Sequence, residues 1–263
     1  FDEVILKERL LESMERVNPN LSRDIIKEAI HQNSLLSNPS LLRLNQTFYQ
    51  RLIHGIDVSV RQSDGSFKVE KAYLIDFDNP LNNQFMVANQ FSVEEHGVTK
   101  RPDLIVFING LPIAIFELKS ASHEEVDLSH AYRQLETYKK TIPSLFTTNA
   151  ILVISDGINA KAGTLSSNEE RFMMWRTIDG EGVAPTHLPQ LEVLIKGMFS
   201  YNKILDILKN FILFQSDTNE AIKILAGYHQ YHAVNKAVEQ TVRATRDGGD
   251  RRVGVIWHTQ RSG

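Results

Sequence analysis

One apolar stretch, RPDLIVFINGLPIAIFELKS at 101–120, constrains the fold of this chain more than any other segment. Residues 104–108 and 113–116 are almost wholly apolar and rich in β-branched or aromatic side chains, which is typical of buried strands. Asn109 and Gly110 lie between them, and this dipeptide tolerates the positive φ angles of a tight hairpin turn. The stretch therefore predicts a buried β-hairpin.

Three charged side chains lie at the open end of this hairpin. Asp103 precedes the first strand, and Glu117 and Lys119 close the second. Side chains alternate along a strand, so Glu117 and Lys119 share one face. Two carboxylates and an ammonium at one end of a buried hairpin favour a Mg²⁺ site for cutting a phosphodiester. The structural alternative is an edge-strand ion pair of Glu117 with Lys119, with Asp103 as a turn acid.

The register of the hairpin decides whether the two carboxylates can share a metal ion. A regular two-residue turn at 109–110 pairs Asp103 with Phe116, which places Asp103 and Glu117 on opposite faces. A β-bulge or a three-residue loop shifts the register by one residue and restores a shared face. We therefore predict a bulge or a three-residue loop in this hairpin.

A helix with matching chemistry is predicted after the hairpin, in VDLSHAYRQLETYKK. Asp127 is a suitable N-cap, and apolar residues recur at helical spacing. Gln134 and Tyr138 stand four residues apart, so they lie on one helix face. If the helix packs beside the hairpin, this amide and phenol can orient the lysine or hold a phosphate. Otherwise they are part of an ordinary helix flank. A strand at 150–155 follows.

The order of these motifs is similar to that of known nucleases. P-D…E-x-K, then Q-x-x-x-Y, then a strand is the pattern of PD-(D/E)xK nucleases of the RecB-like kind. Longer segments, from NPNLSRDIIKEAI and NQTFY to AGTLSSNEERFMMW, resemble the N-terminal part of the restriction (HsdR) subunit of type I restriction–modification enzymes. The resemblance covers essentially the whole chain, and 101–119 is its most specific part.

The resemblance implies an α/β fold in which a PD-(D/E)xK restriction-endonuclease-like core, a mixed central sheet flanked by helices, is followed by the start of a RecA-like helicase motor domain. It also implies Mg²⁺-dependent cleavage of unmodified double-stranded DNA, coupled to ATP-driven translocation, with methylation (M) and specificity (S) subunits as partners. Two alternatives are a stand-alone RecB-like DNA exonuclease and an inactive nuclease-like module for docking or coupling.

Each motif residue has an expected role in such a nuclease. Asp103 and Glu117 would hold Mg²⁺, together with the carbonyl of Leu118. Lys119 would orient or help to deprotonate the attacking water and stabilise the developing charge. The other catalytic residues, which would position this lysine and the DNA backbone, are Gln134 and Tyr138. Acids that rank lower, because surface or turn roles are commoner for them, are Asp76, Asp78, Glu8 and Glu12.

The C-terminal segment resembles the beginning of the motor domain. An amphipathic helix (YHQYHAVNKAVEQTV), a Gly-rich turn, an apolar strand (VGVIW) and HTQRSG follow one another. A strand that runs into a Ser-Gly loop is how a P-loop begins. Gln230 matches the glutamine that reads adenine in superfamily 2 helicases, and Ser262 and Gly263 would begin the phosphate loop for ATP. Arg261 stands where the family usually has glycine. Taken alone, these elements also fit an ordinary α/β fragment.

Length and composition fit one large core with a small appendage, since the chain has 263 residues of which 42% are hydrophobic. We predict a nuclease domain at 1–200, a linker at 201–220, and the start of a motor domain at 221–263, truncated inside the P-loop. Zero cysteines exclude disulfides and Cys-based zinc sites. With no signal peptide and no apolar run near the ~20 residues of a membrane span, a cytoplasmic protein without a membrane partner is expected. The net charge of −3 argues against tight autonomous DNA binding, so other subunits or domains would bring the DNA.

The remaining secondary structure is predicted from periodicity and turn residues. A polar segment at 156–190 reads as a long loop, and 191–215 as a connecting helix and a short strand. Asp64-Gly65 is a hairpin turn signal. The other predicted elements are helices at about 2–16, 22–32 and 40–52 and strands near 56–61, 68–77 and 84–92.

Overall fold

A five-stranded mixed sheet forms the centre of the fold in the computed structural model, which describes residues 4–119, 128–216 and 221–256. The helices are α1 (Lys7–Val17), α2 (Arg23–Ser34), α3 (Leu41–His54), α4 (Leu128–Thr141), α5 (Gln190–Met198), α6 (Tyr201–Asn210) and α7 (Tyr228–Thr245). The strands are β1 (Ile56–Arg61), β2 (Phe67–Ala72), β3 (Phe85–Asn89), β4 (Val93–Glu95), β5 (Val98–Lys100), β6 (Leu104–Ile108), β7 (Leu111–Leu118), β8 (Ile151–Ser155), β9 (Ala160–Gly163), β10 (Ile212–Ser216) and β11 (Ala221–Leu225).

The central sheet has the strand order β3-β6-β7-β8-β9. Only β7 and β8 run parallel, and the connection between them contains α4, because parallel neighbours need a long crossover. Each side of the sheet contributes to a separate apolar core. One core contains Ile115 and Ile154 of the sheet with Leu135 of α4, and the other contains Phe116 and Val153 with residues of α1, α3, α5 and α6. The mixed α/β fold with a central mixed sheet is as expected.

The predicted irregularity in the β6–β7 hairpin is a β-bulge. Val106 pairs with Ala114, but the next residue, Phe107, pairs with Pro112, which leaves Ile113 as the extra residue of β7. As a result, the consecutive residues Ile113 and Ala114 both join the same core. Pro112 has no N–H to donate to the ladder, so an interruption beside it loses little hydrogen bonding. The bulge prediction is confirmed, and the turn keeps two residues.

The turn of this hairpin is fixed against the N-terminal helix. Asn109 and Gly110 have φ angles of 53° and 80°, the left-handed conformation of a two-residue hairpin turn. The carbonyl of Gly110 accepts a hydrogen bond of 2.9 Å from the N–H of Leu6, just before α1. A side chain at Gly110 would lie 2.6 Å from the carbonyl oxygen of Leu6, so only glycine fits here without a shift of the backbone. The closed end of the hairpin is therefore anchored to α1.

Several predicted elements are confirmed and others are corrected. The predicted helices α2 and α3 and strands β1, β3, β6 and β7 are present within a few residues of their predicted bounds. α1 begins at Lys7 rather than near residue 2, and β2 ends at Ala72 rather than near residue 77. The segment at 156–190 is not only a loop, because β9 lies in it and closes one edge of the sheet. The β4–β5 hairpin was also not predicted. Asp127, the predicted N-cap of α4, lies outside the described residues.

The predicted strand VGVIW is wrong for the residues that the structure describes. Residues 253–256 form no strand, and Val253, Val255 and Ile256 are exposed, at 50%, 87% and 54%. A strand needs a neighbour to satisfy its backbone groups, and none of the described strands pairs with this segment. High β-propensity alone does not make a strand.

The segment predicted as a linker, 201–220, contains α6 and β10. Ile204, Leu205, Ile207 and Leu208 of α6 are buried in the core shared with α1 and α3. β10 forms an antiparallel hairpin with β11, and α7 follows. The domain boundaries themselves stay a prediction. Within the described ranges, no helix is both long and apolar enough to cross a bilayer.

Candidate metal centre

The bulge places the two carboxylates of the hairpin on one face. β6 and β7 pair Leu104 with Phe116, so one residue further in the same register Asp103 lies opposite Glu117. The N–H of Leu118 donates a hydrogen bond of 2.8 Å to Oδ2 of Asp103. The carbonyl of Asp103 accepts a bond of 2.9 Å from the N–H of Gln90. Asp103 is therefore held in place through both its side chain and its backbone.

Glu117 is the most constrained carboxylate of the site. It is 2% exposed, and Nζ of Lys119 donates to its Oε1. Burial raises the pKa of Glu117 and the charge of Asp103 raises it further, although the hydrogen bond from Lys119 acts in the opposite direction. Its other oxygen, Oε2, is buried and has no hydrogen-bond partner among the described residues. A buried carboxylate oxygen with no partner is costly, and a cation would satisfy it.

Helix α4 brings Tyr138 and Gln134 to the same place. Tyr138 is 4% exposed in the core between α4 and the sheet. Burial raises the pKa of Tyr138 to about 12, and the negative charge of Glu117 also contributes. A hydrogen bond with Gln134 opposes this increase, and Asp103 adds to it. The structure thus places the predicted phenol within hydrogen-bonding reach of Glu117, and the predicted amide beside that phenol.

The end of β7 positions the remaining two predicted residues. The N–H of Lys119 donates a bond of 2.8 Å to the carbonyl of Ser155, which fixes this end of β7 on β8. The Lys119 side chain is 28% exposed, so its ammonium lies between the buried carboxylate and solvent. Leu118 is half-buried, and its N–H is the group that holds Asp103. The role of its carbonyl as a metal ligand stays a prediction.

The acids that ranked lower as candidate metal ligands have other structural roles or positions. Oδ1 of Asp76 accepts bonds from the N–H groups of Asp78 and Asn79, which makes it the organiser of a turn. Glu8 and Glu12 are exposed on α1, whose start lies at the closed end of the hairpin, away from Asp103. Across the described ranges, no group of three or more His, Cys, Asp or Glu side chains is arranged around one point as metal ligands. The candidate centre consists of two carboxylates, a lysine and the pair on α4.

The nucleotide-binding residues are described only in part. Oε1 of Gln230 accepts a bond of 2.8 Å from the N–H of Gly227 and so caps the start of α7. Ser262, Gly263 and the divergent Arg261 lie outside the described residues.

Two lysines that sequence reasoning missed occupy unusual positions. Lys223 is 2% exposed, and the alternation in AIKIL could have revealed it because it shares a face with two buried residues of β11. Lys161 lies on β9, and its position follows only from the strand pairing.

Comparison with known proteins gives consistent results. Residues 1–171 match the family described as type I restriction enzyme R protein N terminus, and residues 229–263 match the SWI2/SNF2 ATPase family. The chain is 39% identical over 264 residues to the type I restriction enzyme HindI endonuclease subunit of Haemophilus influenzae, which covers 99% of this chain and 25% of that protein. It is 33% identical over 285 residues to a protein of Methanocaldococcus jannaschii that is provisionally described as an endonuclease subunit of the same class, covering 100% of this chain and 27% of that protein.

The relatives are much longer than this chain. A Staphylococcus aureus type I restriction enzyme endonuclease subunit, 25% identical over 258 residues, shows the same proportion, with 92% of this chain matched to 25% of that protein. The chain thus spans about a quarter of the length of the curated relatives it matches. The family match covers more than half of the chain, and two of these relatives are more than 30% identical to it. The chain therefore belongs to the family of type I restriction enzyme R proteins and matches their N-terminal part.

Proposed function

We propose that this chain is the DNA-cutting part of a type I restriction enzyme R subunit, with its site at Asp103, Glu117 and Lys119. One observation carries the proposal: the bulge in β7 puts Asp103 opposite a buried Glu117 whose Oε2 has no partner among the described residues. The names of the relatives, which are endonuclease subunits, support it.

The donor set fits a hard divalent cation. Asp103 and Glu117, with the carbonyl of Leu118, would hold Mg²⁺, which prefers oxygen ligands and retains several waters. When bound, the ion supplies a Lewis acid beside the scissile phosphate of duplex DNA. Among the buried side-chain atoms of the described residues that have no hydrogen-bond partner, Oε2 of Glu117 is the one carboxylate oxygen, and a cation would compensate its burial.

The other residues would act on the water and the DNA. Lys119, held by Glu117, carries its charge at the solvent edge of the site. There it can orient the attacking water and stabilise negative charge that develops on the phosphate. Gln134 and Tyr138 can position the lysine and the DNA backbone from α4. The phenol of Tyr138, whose pKa burial raises to about 12, is protonated at neutral pH and can donate to Glu117.

We also propose the wider assignments that the family implies. The arrangement β6-β7-α4-β8, with the acids at the ends of β6 and β7, supports a PD-(D/E)xK core. The SWI2/SNF2 match at 229–263 supports the start of an ATP-dependent motor, in which Gln230, Ser262 and Gly263 would bind ATP. Cutting of unmodified DNA would then be coupled to translocation and would require the M and S subunits, in the cytoplasm.

Metal binding and DNA cleavage test the proposal separately. Mn²⁺ binding to the chain, measured by electron paramagnetic resonance, is expected to need both Asp103 and Glu117. Mg²⁺-dependent cleavage of closed circular DNA, measured with the chain and with the assembled R, M and S subunits, is expected to fall more than about 100-fold in Glu117→Ala, because loss of a direct ligand should exceed the effect of losing a supporting residue. Glu12→Ala, which removes an exposed acid of α1, is the matched control.

Each outcome distinguishes one function from another. Mn²⁺ uptake by Glu117→Ala equal to that of the wild type would refute the metal site. Metal uptake without cleavage in either preparation would favour the docking or coupling module. Cleavage of linear DNA with little action on closed circles would favour the stand-alone exonuclease.

A further inference from the structure

An open groove runs beside the candidate centre, between α4 and the edge strand β9. It has a volume of about 630 Å³. Lys161 is the one cation among its lining residues, which are Tyr132, Lys161, Asn168, Glu169 and Glu170. None of these residues belongs to the site described above.

Strand register places Lys161 in the same row as the buried carboxylate. Glu117 pairs with Ile154, and Ile154 pairs with Lys161, so the three side chains point from the same face of the sheet. The neighbours of Lys161 on β9, Ala160 and Ala162, belong to the core on the opposite side, as alternation requires. Two strand spacings separate Lys161 from Glu117, which is about 10 Å.

The ammonium of Lys161 is uncommitted within the part of the chain that the structure describes. The side chain is half-buried, so its stem is covered, but it forms no hydrogen bond or ion pair with any described residue. The neighbouring acids do not neutralise it at close range. Glu169 instead accepts a hydrogen bond from the hydroxyl of Ser129 on α4. A lysine in a groove lined by two carboxylates, without an ion pair, is available for an external anion.

We propose that Lys161 binds a backbone phosphate of the DNA duplex, adjacent to the phosphate that is cut at Asp103 and Glu117. This inference rests on the proposed function and extends the DNA-binding surface across β8 to the edge of the sheet. Backbone phosphates fix the register of a duplex on a protein and are contacted most often by lysine and arginine. Because Glu169 and Glu170 also line the groove, loss of Lys161 would leave a surface that repels DNA.

The salt dependence of DNA binding tests this contact. The probe is a fluorescent ~20-base-pair duplex, titrated by anisotropy at several salt concentrations with the assembled R, M and S subunits and with the chain alone. Ca²⁺ replaces Mg²⁺ to prevent cutting. Each phosphate contact contributes about 0.9 to the slope of log K against log [salt], so Lys161→Gln should lower the slope by roughly one and weaken binding about three- to tenfold. Lys161→Arg should restore both. Lys27→Gln, an exposed lysine of α2, is the matched control and should change neither.

The outcomes separate this inference from the proposed function. An unchanged slope in Lys161→Gln, an equal change in Lys27→Gln, or no binding of the duplex by the wild-type assembly would overturn the contact. If Lys161→Gln shows the expected loss while Glu117→Ala still cuts DNA, the phosphate contact stands and the proposed metal centre falls. If Glu117→Ala is inactive but Lys161→Gln binds DNA as the wild type does, the proposed metal centre stands and the phosphate contact falls.

Discussion

A buried lysine should make the stability of this protein depend strongly on pH. Nζ of Lys223, on β11, donates hydrogen bonds to Oδ1 of Asn45, at 2.9 Å, and to the carbonyl of Asn149, at 2.7 Å. The rings of Tyr49 and Phe214 lie 5.3 and 5.4 Å away. No described carboxylate forms an ion pair with it. The lysine is 2% exposed, so its charge is buried among neutral groups.

The size of the effect follows from its pKa. Burial lowers the pKa of Lys223 from 10.5 to about 7. At about 1.4 kcal/mol for each tenfold change in proton affinity, this difference corresponds to roughly 5 kcal/mol. The attraction of the two aromatic rings for the ammonium acts in the opposite direction, so this value is an upper bound.

The sign of the pH dependence is fixed by which state binds the proton more tightly. Below pH 7 both states are protonated and the full cost of the buried charge is present. Between pH 7 and 10.5 the unfolded chain still binds a proton that the folded chain has released, so the free energy of unfolding rises with pH by up to about 1.4 kcal/mol per pH unit. The contribution of Lys223 is therefore most favourable above pH 10.5 and is lost as the pH falls to 7.

Urea unfolding at pH 7, 8, 9 and 10 would measure this dependence in the wild type and in Lys223→Met. Methionine keeps the length of the aliphatic stem of lysine but has no amino group to titrate. It leaves Oδ1 of Asn45 without the donor that Lys223 supplies, at a cost of about 1–3 kcal/mol, whereas the carbonyl of Asn149 keeps its hydrogen bond from Nδ2 of Asn45. This cost does not vary with pH. The stability of the wild type relative to the variant should thus increase by several kcal/mol from pH 7 to pH 10. The exposed Lys27→Met is the control. Parallel curves for the wild type and Lys223→Met would refute the reasoning.

Two further predictions concern the β6–β7 hairpin. Burial raises the pKa of Glu117, so ionisation of this carboxyl as the pH rises lowers the stability of the fold. Without metal, Glu117→Gln should therefore be more stable than the wild type at pH 8 and should lose this advantage as the pH falls below 4.5. Mg²⁺ should not stabilise the variant. A variant less stable than the wild type at pH 8 would contradict this. Gly110→Ala should cost about 1–3 kcal/mol more than Gly65→Ala, because both glycines have positive φ but only Gly110 faces nearby backbone. Equal losses in thermal unfolding would show that packing against α1 does not matter.

The hairpin and α4 could be predicted because their patterns are long and local. Alternating or continuous apolar runs and an Asn-Gly turn define these elements without information from distant residues. The need for a bulge also followed from the sequence, since Asp103 and Glu117 cannot share a face in a regular two-residue hairpin. Its position at Ile113 did not, because β7 is buried on both faces and its apolar residues do not mark which one is extra.

The sequence did not predict features that depend on partners far away along the chain. β9 is only AKAG, three small residues and a lysine, and it forms a strand because β8 supplies its hydrogen bonds. The VGVIW segment shows the opposite case, in which favourable residues have no described strand to pair with. The partners of Lys223 come from α3 and from the segment before β8, 178 and 74 residues away in the chain. Pairing and burial of this kind arise from the tertiary fold and leave little trace in local composition.

The two ends of the β6–β7 hairpin explain how the fold can keep a buried carboxylate close to a second one. At the closed end, the bond between Gly110 and Leu6 ties the turn to α1. At the open end, the N–H of Leu118 holds Asp103, so the carboxylates remain close although each disfavours the charge of the other. Neither constraint needs a metal ion. The fold therefore sets the spacing of the carboxylates in advance, and a cation that binds there gains the interaction of the otherwise unpaired Oε2 of Glu117 without reorganising the strands.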